Sequence, residues 1–80
     1  MYYVYILQSL RNGDLYAGFT EDLKARIRKH FGKGVHTTKR MGTVRLIFYE
    51  AYLSEKDARR REKYFKTTKG KRTLKIMLGR

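Results

Sequence analysis

The stretch Asp14-Leu-Tyr-Ala-Gly-Phe-Thr20 decides how the fold is read, because its side chains alternate in character. Leucine, alanine and phenylalanine occupy one set of alternate positions, and tyrosine, glycine and threonine occupy the other. In a β-strand the two sets point to opposite faces of a sheet. The first set of side chains suits a hydrophobic core. The second set would pack poorly as a core and is unusual for a solvent-exposed surface. We therefore ask which other residues share the second face.

The residues before this stretch predict its antiparallel partner. Residues 2–8 are rich in Tyr, Val and Ile and indicate a strand. Asn12-Gly13 favours a two-residue turn, because both central positions of a type I′ turn need positive φ. With these two residues in the turn, Leu7 is predicted to lie opposite Gly18.

This pairing predicts which side chains share each face of the hairpin. The main core face is predicted to contain Val4, Ile6, Leu15, Ala17 and Phe19. The second face is predicted to contain Tyr3, Tyr5, Leu7, Tyr16, Gly18 and Thr20. The phenols of Tyr5 and Tyr16 therefore come close together on a face that Gly18 keeps open. For either tyrosine alone, the alternative is a half-buried strand residue with its hydroxyl in water.

A first helix is predicted directly after the hairpin. Thr20 is the expected N-cap, and Leu23, Ile27 and Phe31 recur every four residues, which indicates a helix from about 21 to 31. A polar, basic segment without a regular period follows it.

The second half of the chain predicts one more strand and two helices. Residues 43–52 are the longest strand candidate. Ser54 with Asp57 is a capping-box pattern that opens a helix from about 55 to 67, and Gly70 is expected to break it before a short terminal helix. Residues 1–80 are thus predicted to form a single α+β domain with a small three-stranded antiparallel sheet flanked by helices, in the order β-β-α-β-α-α.

The composition favours a polyanionic partner. Twenty Lys and Arg against seven Asp and Glu give a formal charge of +13, which opposes compaction unless a polyanion relieves it. Nucleic acid is the first candidate and an acidic membrane surface the second. No cysteine is present, which excludes a disulfide framework and a thiolate metal site. The N-terminal apolar run is too short for a signal peptide or a membrane span, so the sequence predicts a soluble cytoplasmic protein.

The first predicted helix carries two polar residues that belong together. Arg26 and His30 are four positions apart and so lie on one stripe of the helix. The alternative to a functional role is that both residues belong to a basic, solvent-exposed face of this helix. A histidine metal site is not expected, because His36 does not stand at ligand spacing from His30.

Glu62 stands in the middle of the second predicted helix, whereas most other acidic residues flank a turn or a helix N-terminus. Ala58, Glu62 and Phe65 follow the i, i+4, i+7 pattern, which places the carboxylate on the inward stripe of the helix. One interpretation is an ion pair with Lys66 at i+4. The other is a ligand for a hard divalent cation, which prefers oxygen donors and water.

Taken together, these residues resemble the GIY-YIG nuclease superfamily, especially its small single-domain bacterial members. The first half of the motif that names the family corresponds to Tyr3-Val4-Tyr5 and the second half to Tyr16-Ala17-Gly18. The helix arginine of the family falls on Arg26, and the His or Tyr one turn later falls on His30. The metal-binding glutamate of the family falls on Glu62. The resemblance runs from residue 2 to about 66.

The resemblance implies a metal-dependent endonuclease that hydrolyses phosphodiester bonds in DNA. Glu62 would hold a single Mg²⁺ or Mn²⁺, Arg26 would stabilise charge on the phosphate, and either Tyr5 or Tyr16 would deprotonate or position the attacking water. His30 would bond one phenol or a phosphate. Gly18 would let a phosphate backbone approach closely. The chain departs from the family pattern at Tyr3, where the family has Gly, and at Ala17, where it has Ile.

The remaining basic residues are expected to contact phosphates without reading bases, which makes binding salt-dependent. These expected nucleic-acid contacts are Lys33, Lys39, Arg40, Arg59, Arg60, Arg61, Lys69, Lys71 and Arg72. Larger family members add DNA-targeting domains for which this chain has no room. We therefore expect the shape of the DNA, and not its sequence, to select the substrate.

Two other functions compete with the nuclease. The first is a nucleic-acid-binding module on the same fold that is catalytically idle, and it predicts binding that ignores Mg²⁺ and Glu62. The second is a basic structural protein of the ribosome or nucleoid, which would give no reason for an inward carboxylate. For the nuclease hypothesis the expected partner is DNA and not a membrane, and the expected state is a monomer or weak dimer. An unidentified protein that recruits the domain is a further candidate partner.

Overall fold

The computed structural model describes residues 1–31 and 41–79. Within these ranges the elements are β1 (Tyr2–Ser9), β2 (Leu15–Thr20), α1 (Leu23–Phe31), β3 (Val44–Tyr52), α2 (Glu55–Phe65) and α3 (Thr68–Leu78). The strands form one antiparallel sheet in the order β2-β1-β3, so β1 is central and β2 lies at an edge of this sheet. The predicted α+β class and the order β-β-α-β-α-α are confirmed.

The pairing of β1 with β2 is shifted by two residues from the predicted one. Tyr5 lies opposite Gly18, and Leu7 lies opposite Tyr16. The predicted two-residue turn is wrong, because the Ser9 N–H donates to the Asp14 carbonyl at 2.8 Å and leaves residues 10–13 as the loop. Side chains alternate with a period of two, so this shift leaves every residue on its predicted face.

One face of the sheet packs against α2 and α3 and forms the main hydrophobic core. This confirms the core face predicted for the hairpin. Its buried members are Val4, Ile6, Ala17, Ala58, Phe65 and Leu74. Partly buried Leu15 and Phe19 pack against this cluster.

The other face of the sheet is covered by α1 and forms a second, smaller core. Its buried members are Tyr5, Leu7 and Val44, and Leu23 and Ile27 of α1 pack against them. The expectation that this face is too polar for a core is therefore wrong in part. Leu7 and the Tyr5 ring are as fully buried as the residues of the main core.

The start of α1 differs from the sequence prediction, whereas the start of α2 agrees with it. Helix α1 begins at Leu23, and Asp22 caps it, because the Asp22 carboxylate accepts a hydrogen bond from the Ala25 N–H at 3.1 Å. The Thr20 hydroxyl instead accepts a hydrogen bond from the Asp22 N–H at 3.1 Å, in the turn that precedes the helix. The N-cap of α2 is Ser54, as predicted.

Gly70 does not break a helix. It lies buried in the first turn of α3, and a Cβ at this position would overlap with the carbonyl group of Tyr64 at the end of α2. Glycine is required here because two helices approach closely, so the prediction of a helix end at Gly70 is wrong. The break falls earlier, between Phe65 and Thr68, and Thr67 caps the new helix.

Candidate active site

A pocket lies where α1 and α2 pass the same end of the edge strand β2. Helix α1 covers one face of the sheet and α2 covers the other, so side chains of both helices meet beyond the strand. The pocket, called here the carboxylate pocket, is lined by Phe19, Thr20, Glu21, Asp22, Ala25, Arg26, Lys29, Arg59 and Glu62. It brings Arg26 and Glu62 together from distant parts of the chain, and both were predicted from the sequence as site residues.

Tyr5 reaches the site from the central strand β1. Its ring lies over Gly18, where a Cβ would overlap with the ring and the hydroxyl. The hydroxyl is hydrogen-bonded to His30 Nε2 at 2.8 Å, and each residue is only 1% exposed. The space above Gly18 is thus filled by the Tyr5 ring, so the prediction that Gly18 keeps this face open is wrong. The close approach of a phosphate at Gly18 stays an untested prediction from the sequence.

The buried pair of Tyr5 and His30 is held in its neutral form. Burial raises the pKa of the Tyr5 phenol well above its usual value of 10.0, assisted by Tyr16 and Glu62, while the charge of Arg26 acts in the opposite direction. Burial also lowers the pKa of His30 below 6.5, and the nearby Arg26 guanidinium lowers it further. At neutral pH the hydrogen bond therefore joins an uncharged phenol to an uncharged imidazole.

Tyr16 occupies a more open position than Tyr5. It is partly exposed on the edge strand, and its ring centroid lies 5.5 Å from that of His30 and 6.4 Å from that of Tyr5. The Lys66 ammonium lies 5.9 Å from the centre of the Tyr16 ring. The two tyrosines that the sequence placed side by side are thus neighbours, but only one of them is accessible to water.

Glu62 forms the ion pair with Lys66 that its position in the sequence allowed, whereas its role as a cation ligand stays a prediction. Its side chain is 19% exposed and lines the carboxylate pocket, and Oε2 accepts a hydrogen bond from Lys66 Nζ at 3.0 Å. No group of three or more His, Asp and Glu residues in the described ranges could hold a metal ion. A single carboxylate still fits Mg²⁺, which is commonly held by one or two carboxylates together with water and substrate phosphate.

The three arginines of α2 have different surroundings. The Arg59 guanidinium lies 4.2 Å from the centre of the Phe19 ring and lines the carboxylate pocket. Arg60 is exposed, 3.7 Å from Asp57. Arg61 instead donates two hydrogen bonds to Glu50 of β3, at 2.9 and 3.2 Å, and joins α2 to the sheet.

The other expected phosphate contacts are distributed unevenly. Lys71 lines a groove beside the hairpin loop, together with Lys66 and Lys75, which were not predicted as phosphate contacts. The signal that could have found them is the i, i+4 spacing of residues 62 and 66 and of residues 71 and 75. Lys69 and Arg72 are exposed on α3. Lys33, Lys39 and Arg40 lie outside the described residues.

Comparisons with known proteins show which family and which relatives this sequence is similar to. The sequence model of the GIY-YIG catalytic domain matches residues 1–75. A UPF0213 protein of Staphylococcus epidermidis is 36% identical over 77 residues, which cover 95% of this chain and 93% of that protein. A UPF0213 protein of Lacticaseibacillus paracasei is 41% identical over 66 residues, which cover 81% of this chain and 73% of that protein. A UPF0213 protein of Bacillus pumilus is 38% identical over 77 residues, which cover 94% and 78%. No solved structure matches.

None of the helices in residues 1–31 and 41–79 has the length and hydrophobicity of a membrane span.

Proposed function

Because this chain belongs to the GIY-YIG family of endonucleases, we propose that it is a divalent-metal-dependent endonuclease that hydrolyses phosphodiester bonds in DNA. The observation that carries the proposal is the meeting of Arg26 and Glu62 in one pocket beside β2. A carboxylate suits a hard cation and a guanidinium suits a phosphate, so the pair fits the two charged partners of this reaction.

Glu62 is the residue that would hold a single Mg²⁺ or Mn²⁺ ion. When bound, the ion supplies a Lewis acid beside the phosphate. The bond from Lys66 does not prevent this, because the Lys66 side chain is 53% exposed and an ion pair of this kind is weak. Lys66 would then turn toward the phosphate, where its ammonium compensates negative charge.

Arg26 is proposed to stabilise the charge that develops on the phosphate. It is partly buried and lines the carboxylate pocket, and its charge affects both Tyr5 and His30. A guanidinium in such a position keeps its charge and offers two parallel donors to phosphate oxygens. A lysine would supply the charge without the second donor.

Tyr16 is proposed to position the attacking water, whereas Tyr5 and His30 act as positioning residues behind it. Tyr16 is the partly exposed member of the two tyrosines and lies next to the Lys66 ammonium. The buried Tyr5 phenol has a raised pKa and stays protonated, so it is poorly suited to remove a proton from water. The hydrogen bond between Tyr5 and His30 instead fixes the aromatic cluster against which Tyr16 packs.

Selection of DNA by shape is supported by the surroundings of the basic residues. Arg59, Arg60 and Lys71 lie on helix surfaces and are exposed. Contacts of this kind fix a phosphate backbone and carry no base information. A single domain of residues 1–80, a cytoplasmic location, a monomeric or weakly dimeric state and a recruiting protein remain predictions from the sequence.

A second candidate function is a nucleic-acid-binding module without catalysis. The bond between Lys66 and Glu62 favours it, because an ammonium already compensates the carboxylate. This module would bind nucleic acid equally well with or without a divalent cation.

The test compares wild type with Glu62→Gln on labelled single-stranded, duplex, flap and Holliday-junction DNA, in Mg²⁺, Mn²⁺ or EDTA. We expect metal-dependent cleavage by wild type. In the variant the cleavage rate should fall by about a hundredfold or more, which is the usual cost of losing one electrostatic contact to the transition state. Glu55→Gln is the matched control, because Glu55 also forms an i, i+4 ion pair on α2 and lies at its exposed start. Its cleavage rate should stay close to that of wild type.

The same assay separates the two tyrosines. Tyr16→Phe should lower kcat with little change in stability, whereas Tyr5→Phe should lower stability as well. Binding without cleavage, equal for wild type and Glu62→Gln, would refute the nuclease and leave the binding module.

A further inference from the structure

A second groove lies on the edge of β2, toward the opposite end of the strand from the carboxylate pocket. The carboxylate pocket touches Phe19 and Thr20, whereas this groove touches residues 12–17. Its other wall is formed by the end of α2 and by α3. We call it the hairpin groove, because one side of it is the loop that joins β1 to β2.

The hairpin groove has a strongly basic rim over an apolar floor. Lys66, Lys71 and Lys75 line it, against the single carboxylate of Asp14. Lys71 and Lys75 are four residues apart, so their side chains lie on one face of α3. Phe65 and Leu74, which are buried in the main core, close the floor. The charge of the groove therefore favours an anionic ligand. The floor of the groove consists of side chains that already belong to the main core.

Lys66 connects the hairpin groove to the carboxylate pocket. It bonds Glu62, which lines the pocket, and at the same time it lines the groove itself. The two depressions are therefore neighbours along one strand. Six residues of β2 correspond to a path of about 20 Å at about 3.3 Å per residue. Such a path is long enough for several consecutive phosphates of one extended nucleic-acid strand.

We propose that the hairpin groove is a second phosphate-binding subsite, which holds the strand being cut on one side of the scissile phosphate. Lys71 and Lys75 bind the backbone there as point charges. Arg59 and Lys29 of the carboxylate pocket contact the backbone on the other side. The inference rests on the proposed function, because it takes the position of Glu62 as the point of cleavage.

The test measures binding of a fluorescein-labelled single-stranded DNA in EDTA, over a series of salt concentrations. Wild type is compared with the double variant Lys71→Gln/Lys75→Gln. Each phosphate contact to a single strand contributes about 0.7 to the slope of log K against log salt. Loss of two contacts should therefore make this slope less steep by about 1.4 and weaken binding roughly tenfold at low salt.

The matched control is Lys56→Gln/Lys63→Gln, which removes the same charge from exposed positions of α2 that border a different depression. Its slope should lie closer to that of wild type than the slope of the groove variant. Equal slopes in the two double variants would overturn the subsite, since the loss would then reflect net charge alone. Thermal unfolding of each variant verifies that the fold is retained.

A second measurement distinguishes failure of the subsite from failure of the nuclease. With Mg²⁺ or Mn²⁺ present, the groove variant should raise KM about tenfold and leave kcat close to wild type, because its lysines bind backbone away from the bond that breaks. A wild type that binds but never cleaves would refute the nuclease, while the salt slopes would still decide whether the groove holds phosphates. A wild type that binds no DNA would refute both.

Discussion

Helices α2 and α3 cover one face of the sheet with an apolar layer, whereas α1 covers the other with a layer that contains a buried phenol and a buried imidazole. Val4 and Ile6 of β1 point into the first layer, and Tyr5 and Leu7, from the same strand, point into the second. The buried hydrophobic residues of both layers are at most 7% exposed. The two layers differ in whether their buried atoms need hydrogen-bond partners.

The difference shows how a small domain accommodates a site without losing its core. Apolar side chains need only close packing, but Tyr5 and His30 must also satisfy their polar atoms. In the described residues, no buried side-chain nitrogen or oxygen lacks a hydrogen-bond partner. We therefore expect substitutions in the first layer to affect mainly stability, and substitutions in the second layer to affect stability and cleavage together.

The largest effect is expected for Phe65→Ala in the first layer. Phe65 is 1% exposed and packs between the sheet and α3. Removal of such a ring costs about 3–5 kcal/mol, which is a large part of the total stability of a domain of this size. Urea unfolding followed by circular dichroism measures the change. A loss below about 1 kcal/mol would mean that the first layer is not the main source of stability.

A smaller effect on stability, combined with loss of cleavage, is expected for Gly18→Val in the second layer. The new side chain would displace the buried Tyr5 ring, and such overpacking costs about 1–3 kcal/mol. Ala51→Val on β3 is the control, since it adds a branched side chain at an exposed strand position. Urea unfolding and the cleavage assay are run on both variants. Full stability of Gly18→Val would show that the second layer is looser than the first.

The smallest effect is the dependence of stability on pH that comes from His30. Burial and Arg26 lower its pKa in the folded protein, so the unfolded chain binds the proton more readily. The stability due to this difference is present above the ordinary histidine pKa of about 6.5 and is lost as the pH falls through and below that value.

Urea unfolding of wild type and His30→Gln between about pH 7.5 and pH 5.5 measures this effect. The difference in unfolding free energy between the two proteins should shrink as the pH falls. Comparison with the variant removes the contribution of every other titrating group. A difference that is constant over this range would contradict a neutral, buried His30.

The faces of the hairpin could be predicted from the sequence, whereas its register could not. The face on which a strand side chain lies depends only on whether its position along the strand is odd or even, and a shift of two residues in the pairing leaves this unchanged. The register depends on the turn, and Asn12-Gly13 do not form a turn by themselves. Asn12 Oδ1 accepts a hydrogen bond from the Asp14 N–H at 3.0 Å, and Gly13 has a positive φ of 80°.

Burial of Tyr5 and the role of Gly70 depend on tertiary contacts that no local pattern contains. Tyr5 is buried because α1 packs across it and His30 bonds its hydroxyl. Glycine is a residue type that often ends a helix. At position 70 it lies inside α3 instead, because the Tyr64 carbonyl leaves no room for a Cβ. The inward position of Glu62, in contrast, followed from helix periodicity, because α2 rests on the sheet along one stripe.

The position of the carboxylate pocket between α1 and α2 has a consequence for the synthesis of the protein. A nascent chain that has been translated only as far as α1 already contains Tyr5, Tyr16 and Arg26, but it does not yet contain Glu62. The proposed cation ligand then arrives after the hairpin, and it reaches the pocket only when α2 docks on the sheet. Partly synthesised or unfolded chains would therefore be unable to cut DNA, and the proposed activity would be confined to the finished fold.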